Sequence, residues 1–354
     1  MRPSTGGALL GLVVLLLAGG LVLVGDHRFP LPRALPGPPQ DARQVVVAMG
    51  DSSISGEGAG DYEAGTDGED GNWCHRSPNA SIHELAMPTI DRAINLACSG
   101  APSPQVGLGD VEQYTEPSQA QRLARIATTD RVVAVVVASG ANDEPAFSHV
   151  LDDCVQAWIS NTRSCAANVG KDWQRRVNAM VPKLIRALTD IRTVMRNAGY
   201  RSTDYELVVQ SYAAPISPKI ATGLQDLSGC PIRSEDLRWV RDKAVPVLTE
   251  GVRAAAAKAG VRFLDLSAAG IGHEACSNPD PRKEWFSRLT VRWTDLEKDD
   301  RATHALQASF HPNALGHKEF GACLGEFLNT EDQAAKCLAG PDGNLHAAAT
   351  VGPT

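Results

Sequence analysis

Ser52 stands in Gly50-Asp51-Ser52-Ser53, directly after the apolar run Val45-Val46-Val47-Ala48-Met49. A serine hydroxyl becomes a useful nucleophile only when a neighbouring base takes its proton. The turn that closes a buried strand can expose such a hydroxyl, and open α/β sheets gather ligands beyond the C-terminal ends of their strands. Of the nine histidines, His311 in Ser309-Phe310-His311-Pro312-Asn313 precedes an expected helix start at Pro312, which places it on a loop. It is the candidate general base. His317, further along that expected helix, is read as structural. Acyl transfer through a tetrahedral intermediate also needs donors aimed at the developing oxyanion. Gly100 in Cys98-Ser99-Gly100-Ala101 and Asn142 in Gly140-Ala141-Asn142-Asp143 are the candidates, together with the main-chain N–H of Ser52. Each segment alone is ordinary turn chemistry. Their order along one chain is what informs.

Gly-Asp-Ser at 50–52, Gly100, Gly-x-Asn-Asp at 140–143 and His-Pro-Asn at 311–313 resemble, in that order, the blocks of the SGNH, or GDSL, hydrolase family. The resemblance spans residues 44–325. The cysteine positions and Gly272-His273-Glu274-Ala275-Cys276 resemble an exported, actinobacterial-type branch of lipases and esterases. It implies a flavodoxin-like three-layer α/β/α sandwich with a central parallel sheet, and serine ester hydrolysis without metal or cofactor. There is one departure. The family commonly carries Asp three residues before its histidine, where this chain has Ala308. Some relatives orient the imidazole with a main-chain carbonyl instead, so a Ser52–His311 dyad is expected, with His311 Nδ1–H donating to the Ala308 carbonyl. Asp265 is a remoter carboxylate and is read as structural.

Other signatures are missing. Ser52 does not sit in Gly-x-Ser-x-Gly, which excludes an α/β-hydrolase elbow. Gly56-Glu57-Gly58-Ala59-Gly60-Asp61 lacks the third glycine of a dinucleotide fingerprint. Asp51 and Asp143 as a glycosidase carboxylate pair rank low, because both belong to the blocks above. Alternatives to a lipase or esterase are a carbohydrate esterase acting on envelope polysaccharide, and a non-catalytic envelope-binding protein on the same fold.

Positioning these residues requires a sheet. Strands are expected at 44–49, 92–97, 132–138, 206–211 and 261–266, and helices at 119–127, 172–197, 236–259 and 315–328. The run Val132-Val133-Ala134-Val135-Val136-Val137 is apolar on both faces, as a central parallel strand must be. Alternation of strands with helices predicts a parallel sheet covered on both sides. The long excursions 57–78 and 267–304 are expected to shape the site.

Residues 8–25 carry no charge and would span about 27 Å as a helix, near the thickness of a bilayer core. The exit Leu21-Val22-Leu23-Val24-Gly25 is a poor cleavage site, so residues 1–25 are expected to be a signal anchor, with a signal peptide cleaved to release a secreted protein as the alternative. Five prolines within 26–41 suit a stiff linker. A hydrolase domain is expected over 42–339, followed by a disordered tail, 340–354. All eight cysteines follow the apolar segment, and an even count there reads as disulfides formed on the oxidising side of a membrane. The expected pairing closes local loops: Cys74–Cys98, Cys154–Cys165, Cys230–Cys276 and Cys323–Cys337. No Cys-x-x-Cys or His-Glu-x-x-His pattern suggests a zinc site. A net charge of −7 without a basic stripe excludes a phosphate-backbone binder, so nucleic acid is not an expected partner. The expected partners are a small-molecule or lipid ester and, through the N-terminus, a membrane.

Overall fold

Valine and alanine dominate two adjacent strands because both faces of each are covered. In the computed structural model, which describes residues 37–296, 301 and 304–350, β1 (Gln44–Gly50) and β3 (Arg131–Ala138) pair in parallel along their length. They belong to a seven-stranded sheet of order β2-β1-β3-β4-β5-β6-β7. The remaining strands are β2 (Arg92–Asn95), β4 (Glu206–Gln210), β5 (Arg262–Asp265), β6 (Ala334–Ala339) and β7 (Leu345–Ala349). All pairs are parallel except β6 with β7. The chain winds from β1 out to β2 and returns to β3 on the other side of β1. That reversal leaves a crevice beyond the C-terminal ends of these strands, which is where α/β sheets bind ligands.

Ten α-helices among the described residues complete the α/β/α sandwich. The short ones are α1 (Ser52–Ser55), α2 (Ser103–Val106), α5 (Cys165–Val169), α7 (Ser234–Trp239) and α9 (Trp293–Leu296). The longer ones are α3 (Gln119–Thr129), α4 (Phe147–Ile159), α6 (Trp173–Asn197), α8 (Val245–Ala259) and α10 (Ala314–Leu328). α6 buries a stripe of Val177, Met180, Leu184, Leu188, Ile191 and Met195, the spacing of an amphipathic helix facing a sheet. The helix expected over 236–259 is interrupted by a π-helical turn, Val240–Ala244, just before Pro246. Proline has no N–H for the helical ladder, and the wider turn accommodates its ring.

The eight cysteines pair as Cys74–Cys98, Cys154–Cys165, Cys230–Cys276 and Cys323–Cys337. The first ties the 57–78 excursion to the segment after β2; the last ties α10 to β6. One boundary needs correction. The expected disordered tail from Gly340 instead turns back, and β7 adds an antiparallel edge to β6. Glu326 on α10 accepts from the Ala347 N–H at 2.9 Å and Glu319 from the Leu345 N–H at 3.0 Å, so the strand is also held to a helix. The expected signal anchor, 1–25, and linker residues 26–36 lie outside the described residues. No helix among the described residues is long and apolar enough to cross a membrane.

Gly50 closes β1 at φ +139°, and a Cβ there would lie 1.9 Å from the Ala138 carbonyl oxygen. Its backbone is further held by the buried Gln119 side chain, which accepts from Gly50 N–H at 2.7 Å and donates to Gly50 O at 2.8 Å. Gly50→Ala should therefore destabilise the protein by at least about 3 kcal/mol, from backbone strain and from β1 forced away from β3. Urea unfolding of the variant measures this; a loss below about 1 kcal/mol would be the size of an ordinary substitution and contradict the packing described.

Candidate active site

The turn after β1 is built around Asp51. Its main-chain N–H donates to the Ala138 carbonyl at 2.9 Å, and its carboxylate caps α1 by accepting from Ser53 N–H at 3.0 Å and Ser53 Oγ–H at 2.8 Å. Tyr212, following β4, donates its hydroxyl to Asp51 at 2.6 Å and accepts from the Ala141 N–H at 3.1 Å. One phenol thus fastens the serine turn to the turn that carries Asn142. Burial raises Asp51 to about 6, against the lowering effect of the Tyr212 and Ser53 hydrogen bonds. Ser52 is the first residue of α1, so its own N–H has no acceptor within the helix.

His311 reaches this turn from far along the chain. Its Nε2 lies 2.8 Å from Ser52 Oγ. Its Nδ1 lies 3.2 Å from the carbonyl oxygen of Ser309, not that of Ala308, which instead accepts from the His311 main-chain N–H at 3.4 Å. The expected carbonyl partner is corrected by one residue, and the cause is Phe310, which adopts a left-handed conformation at φ +59°. The 284–290 stretch of the long excursion holds that conformation in place. Phe310 N–H donates to Ser287 O at 3.0 Å, Ser287 N–H to His311 O at 2.9 Å, and Asn313 N–H to Trp285 O at 2.9 Å. Asn313 then caps α10 by accepting from Gly316 N–H at 3.0 Å, so the helix starts two residues later than Pro312. His317 is fully buried, accepts from Ser81 N–H at 3.2 Å, and is kept neutral because burial lowers it to about 4.

Gly100 and Asn142 line the same cavity as Ser52 and His311. Gly100 lies at φ +78°, where a Cβ would stand 2.9 Å from the Gln113 side chain. Asn142 donates weakly to Ala101 O at 3.5 Å, which turns its amide toward the Gly100 turn. Asp143 is committed elsewhere, accepting from Ser103 N–H at 3.1 Å and Ser103 Oγ–H at 2.5 Å. Asp265 lies apart from the histidine, paired with Arg253 at 3.1 Å and Lys336 at 3.6 Å. The cavity has a volume of about 610 Å³. Phe147, Leu151, Leu266, Phe286, Phe310 and Phe320 form an apolar wall, while Gln113, His304, Gln307 and Asp152 mark polar positions.

Burial lowers His311 below its ordinary value, although the charge of Glu57 and the Ser309 carbonyl oppose the shift. A neutral imidazole with its Nδ1 proton on a carbonyl leaves Nε2 free to accept, which is what a hydroxyl donor requires. The candidate base, the hydroxyl and the candidate oxyanion donors therefore meet at the wall of one cavity.

The family model of the GDSL-like Lipase/Acylhydrolase family matches residues 48–319. The chain belongs to this family. It is therefore an ester hydrolase. Lipase 2 of Streptomyces coelicolor is 24% identical over 277 residues, covering 77% of this chain and 81% of the relative. Among solved structures, phospholipase A1 from Streptomyces albidoflavus NA297 is similar with a TM-score of 0.53 at 23% identity, over 78% of this chain and 94% of its own. An extracellular lipase from Streptomyces rimosus is similar with a TM-score of 0.51 at 22% identity, over 77% and 94% respectively. Both likenesses are of fold.

Reading the sequence alone passes over Glu57 and His75. Glu57 is fully buried and accepts from His75 at 2.7 Å, and His75 contacts Asp67 at 3.1 Å. Tyr62 stacks on the His75 ring at 4.1 Å. The available signal is a carboxylate in Ser55-Gly56-Glu57-Gly58, immediately after the turn that carries Ser52. Burial opposes charge on His75, but its hydrogen bonds to Asp67 and Glu57 win and push it up to about 9. A folded-state value above the unfolded one stabilises the protein fully below about pH 6.5, and that contribution is lost as pH rises through about 9. Thermal midpoints should accordingly fall between those pH values in the parent and change less in His75→Gln. A parent and variant with parallel curves across this interval would show that His75 is not charged in the fold.

Proposed function

We propose that the chain is an exported serine ester hydrolase of lipase or esterase type, acting through Ser52 and His311. The 2.8 Å hydrogen bond between Ser52 Oγ and His311 Nε2 at the cavity wall carries this reading. In the reaction, Ser52 Oγ attacks the ester carbonyl as His311 Nε2 takes its proton. The carbonyl oxygen becomes an oxyanion facing the N–H groups of Ser52 and Gly100 and the Asn142 amide, where each donor is worth about 10²–10³ in rate. Collapse breaks the bond to the alcohol, which leaves with the proton held by His311. Water then repeats the sequence on the acyl-enzyme, with the same imidazole as base, and releases the acid. The Ser309 carbonyl fixes the tautomer throughout, so the site works as a dyad.

The apolar wall supports an acyl chain longer than acetyl as the preferred substrate portion, because each buried methylene contributes about 0.8 kcal/mol. Four disulfides support function in an oxidising compartment.

Hydrolysis of a p-nitrophenyl ester series tests the assignment. The parent should prefer medium chains over acetate, and kcat/KM should rise with pH through a midpoint below about 6.5, since the base form of His311 is required. Ser52→Ala should lower kcat by more than about 10⁴ while keeping the parent's unfolding midpoint. A folded Ser52→Ala protein within tenfold of the parent would remove Ser52 from the mechanism. Faster release of acetate from acetylated polysaccharide than of any longer acyl group would favour a carbohydrate esterase.

A further inference from the structure

The dyad leaves one electrostatic requirement open. When His311 accepts the Ser52 proton it becomes an imidazolium, and the Ser309 carbonyl offers only a partial charge to stabilise it. A carboxylate normally serves that purpose, and in serine proteases built on a triad its replacement by asparagine costs about 10⁴ in rate. Asp265 is engaged by Arg253 and Lys336 and does not contribute.

Glu57 is a buried carboxylate whose chain neighbour and hydrogen-bond partner both belong to the surroundings of the histidine loop. The residue after it, Gly58, packs directly on the histidine: a Cβ on Gly58 would lie 3.0 Å from His311 Cβ and 2.8 Å from the Pro312 carbonyl oxygen. The Glu57 carboxylate is fully buried and fully engaged. Oε1 accepts from Tyr62 at 3.0 Å, and Oε2 accepts from His75 at 2.7 Å, Ser99 at 2.9 Å and Gln307 at 2.8 Å. Gln307 belongs to the segment that continues into Ser309 and His311, so the carboxylate also anchors the loop whose carbonyl orients the imidazole. Behind Glu57, the string continues through His75 and Asp67 to Arg292, which donates to Asp67 Oδ2 at 3.0 Å. Opposite charges alternate along it, and the carboxylate is the end that lies toward the active site.

We propose that Glu57 is the positioning carboxylate of His311, holding its loop through Gln307 and placing a buried negative charge beside the imidazolium. The inference rests on the Ser52–His311 reading above. Other groups around His311 do not replace it. Asp152 on α4 lines the same cavity and also favours an imidazolium at His311, but less than Glu57 does, and His317 on α10 is buried and neutral. The charge on His75 opposes an imidazolium at His311, but less than Glu57 favours it. Glu57 itself stays ionised: burial would raise it, yet the hydrogen bond and charge of His75, with His311 and Ser99, hold it below the ordinary carboxylate value.

Glu57→Gln, Glu57→Asp and Ser52→Ala, each with a thermal melt, test the proposal by pH profiles of ester hydrolysis. In Glu57→Gln the acid limb of kcat/KM should move down by about 1 pH unit, because an imidazolium without its anion forms less readily. Its kcat should fall by about tenfold with KM little changed. Glu57→Asp keeps the charge and should recover part of both effects. A folded Glu57→Gln protein with the parent's acid limb overturns the proposal. If Glu57→Gln does not fold, Glu57→Asp decides: a lowered limb supports the proposal, and an unchanged limb at reduced stability assigns Glu57 to the fold alone. Ser52→Ala separates the two readings, since full activity there removes the dyad itself, whereas its inactivity beside an unchanged Glu57→Gln limb removes only the role of Glu57.

Discussion

The hydrogen bond from Ser52 to His311 joins residues 259 positions apart, and the rest of the architecture serves to make that contact short. One partner is delivered by the C-terminal end of β1, where Gly50 presses against β3 so closely that no side chain is accommodated. The other is delivered by a loop in which Phe310 takes a left-handed conformation, normally worth about 1–3 kcal/mol of strain. The neighbouring 284–290 stretch offsets that strain with main-chain hydrogen bonds on both sides of the histidine. The long excursion before α10 therefore acts as a strap on His311 as well as a wall of the cavity.

Beneath the contact lies a group of charged side chains, buried at Glu57 and His75 and partly exposed at Asp67 and Arg292. Glu57, His75 and Asp67 sit together with Arg292, and Arg76 pairs nearby with Glu116. Removing one partner from such a group leaves an uncompensated charge in a low-dielectric interior, which is costly, while the intact group contributes less to stability than its contacts suggest. The benefit is orientation. Both carboxylate oxygens of Glu57 have donors, and the donors come from three separate segments, so the network fixes how the loops around the site meet. The disulfide between Cys74 and Cys98 holds two of those segments together from the other side.

Much of this is legible in the chain because the decisive signals are local. A valine run ending in Gly-Asp-Ser places the serine at a strand end, and His-Pro-Asn ahead of an amphipathic stretch places the histidine at a helix entrance. The first five strands and four long helices follow from apolar periodicity. The β6–β7 hairpin does not, because Ala334-Ala335-Lys336-Cys337-Leu338-Ala339 and Leu345-His346-Ala347-Ala348-Ala349 have little intrinsic strand preference. They form strands because the sheet edge, α10 and the Cys323–Cys337 bridge hold them there. The carbonyl that meets His311 Nδ1 lies one residue from its expected place, since nothing local to Phe310 announces a positive φ. Glu57 and His75 escape a reading of the sequence for a related reason: their partners arrive from residues 62, 67, 99 and 307, and only the fold brings those together.

The central claim is that Ser52 is the oxygen that His311 activates. Treating the folded protein with a fluorophosphonate and locating the adduct by peptide mass spectrometry measures that directly. A single phosphonyl group on the peptide carrying Ser52, formed rapidly in the parent and lost in His311→Asn, is the predicted result. An adduct on another residue, or equal labelling when His311 is replaced, would contradict it.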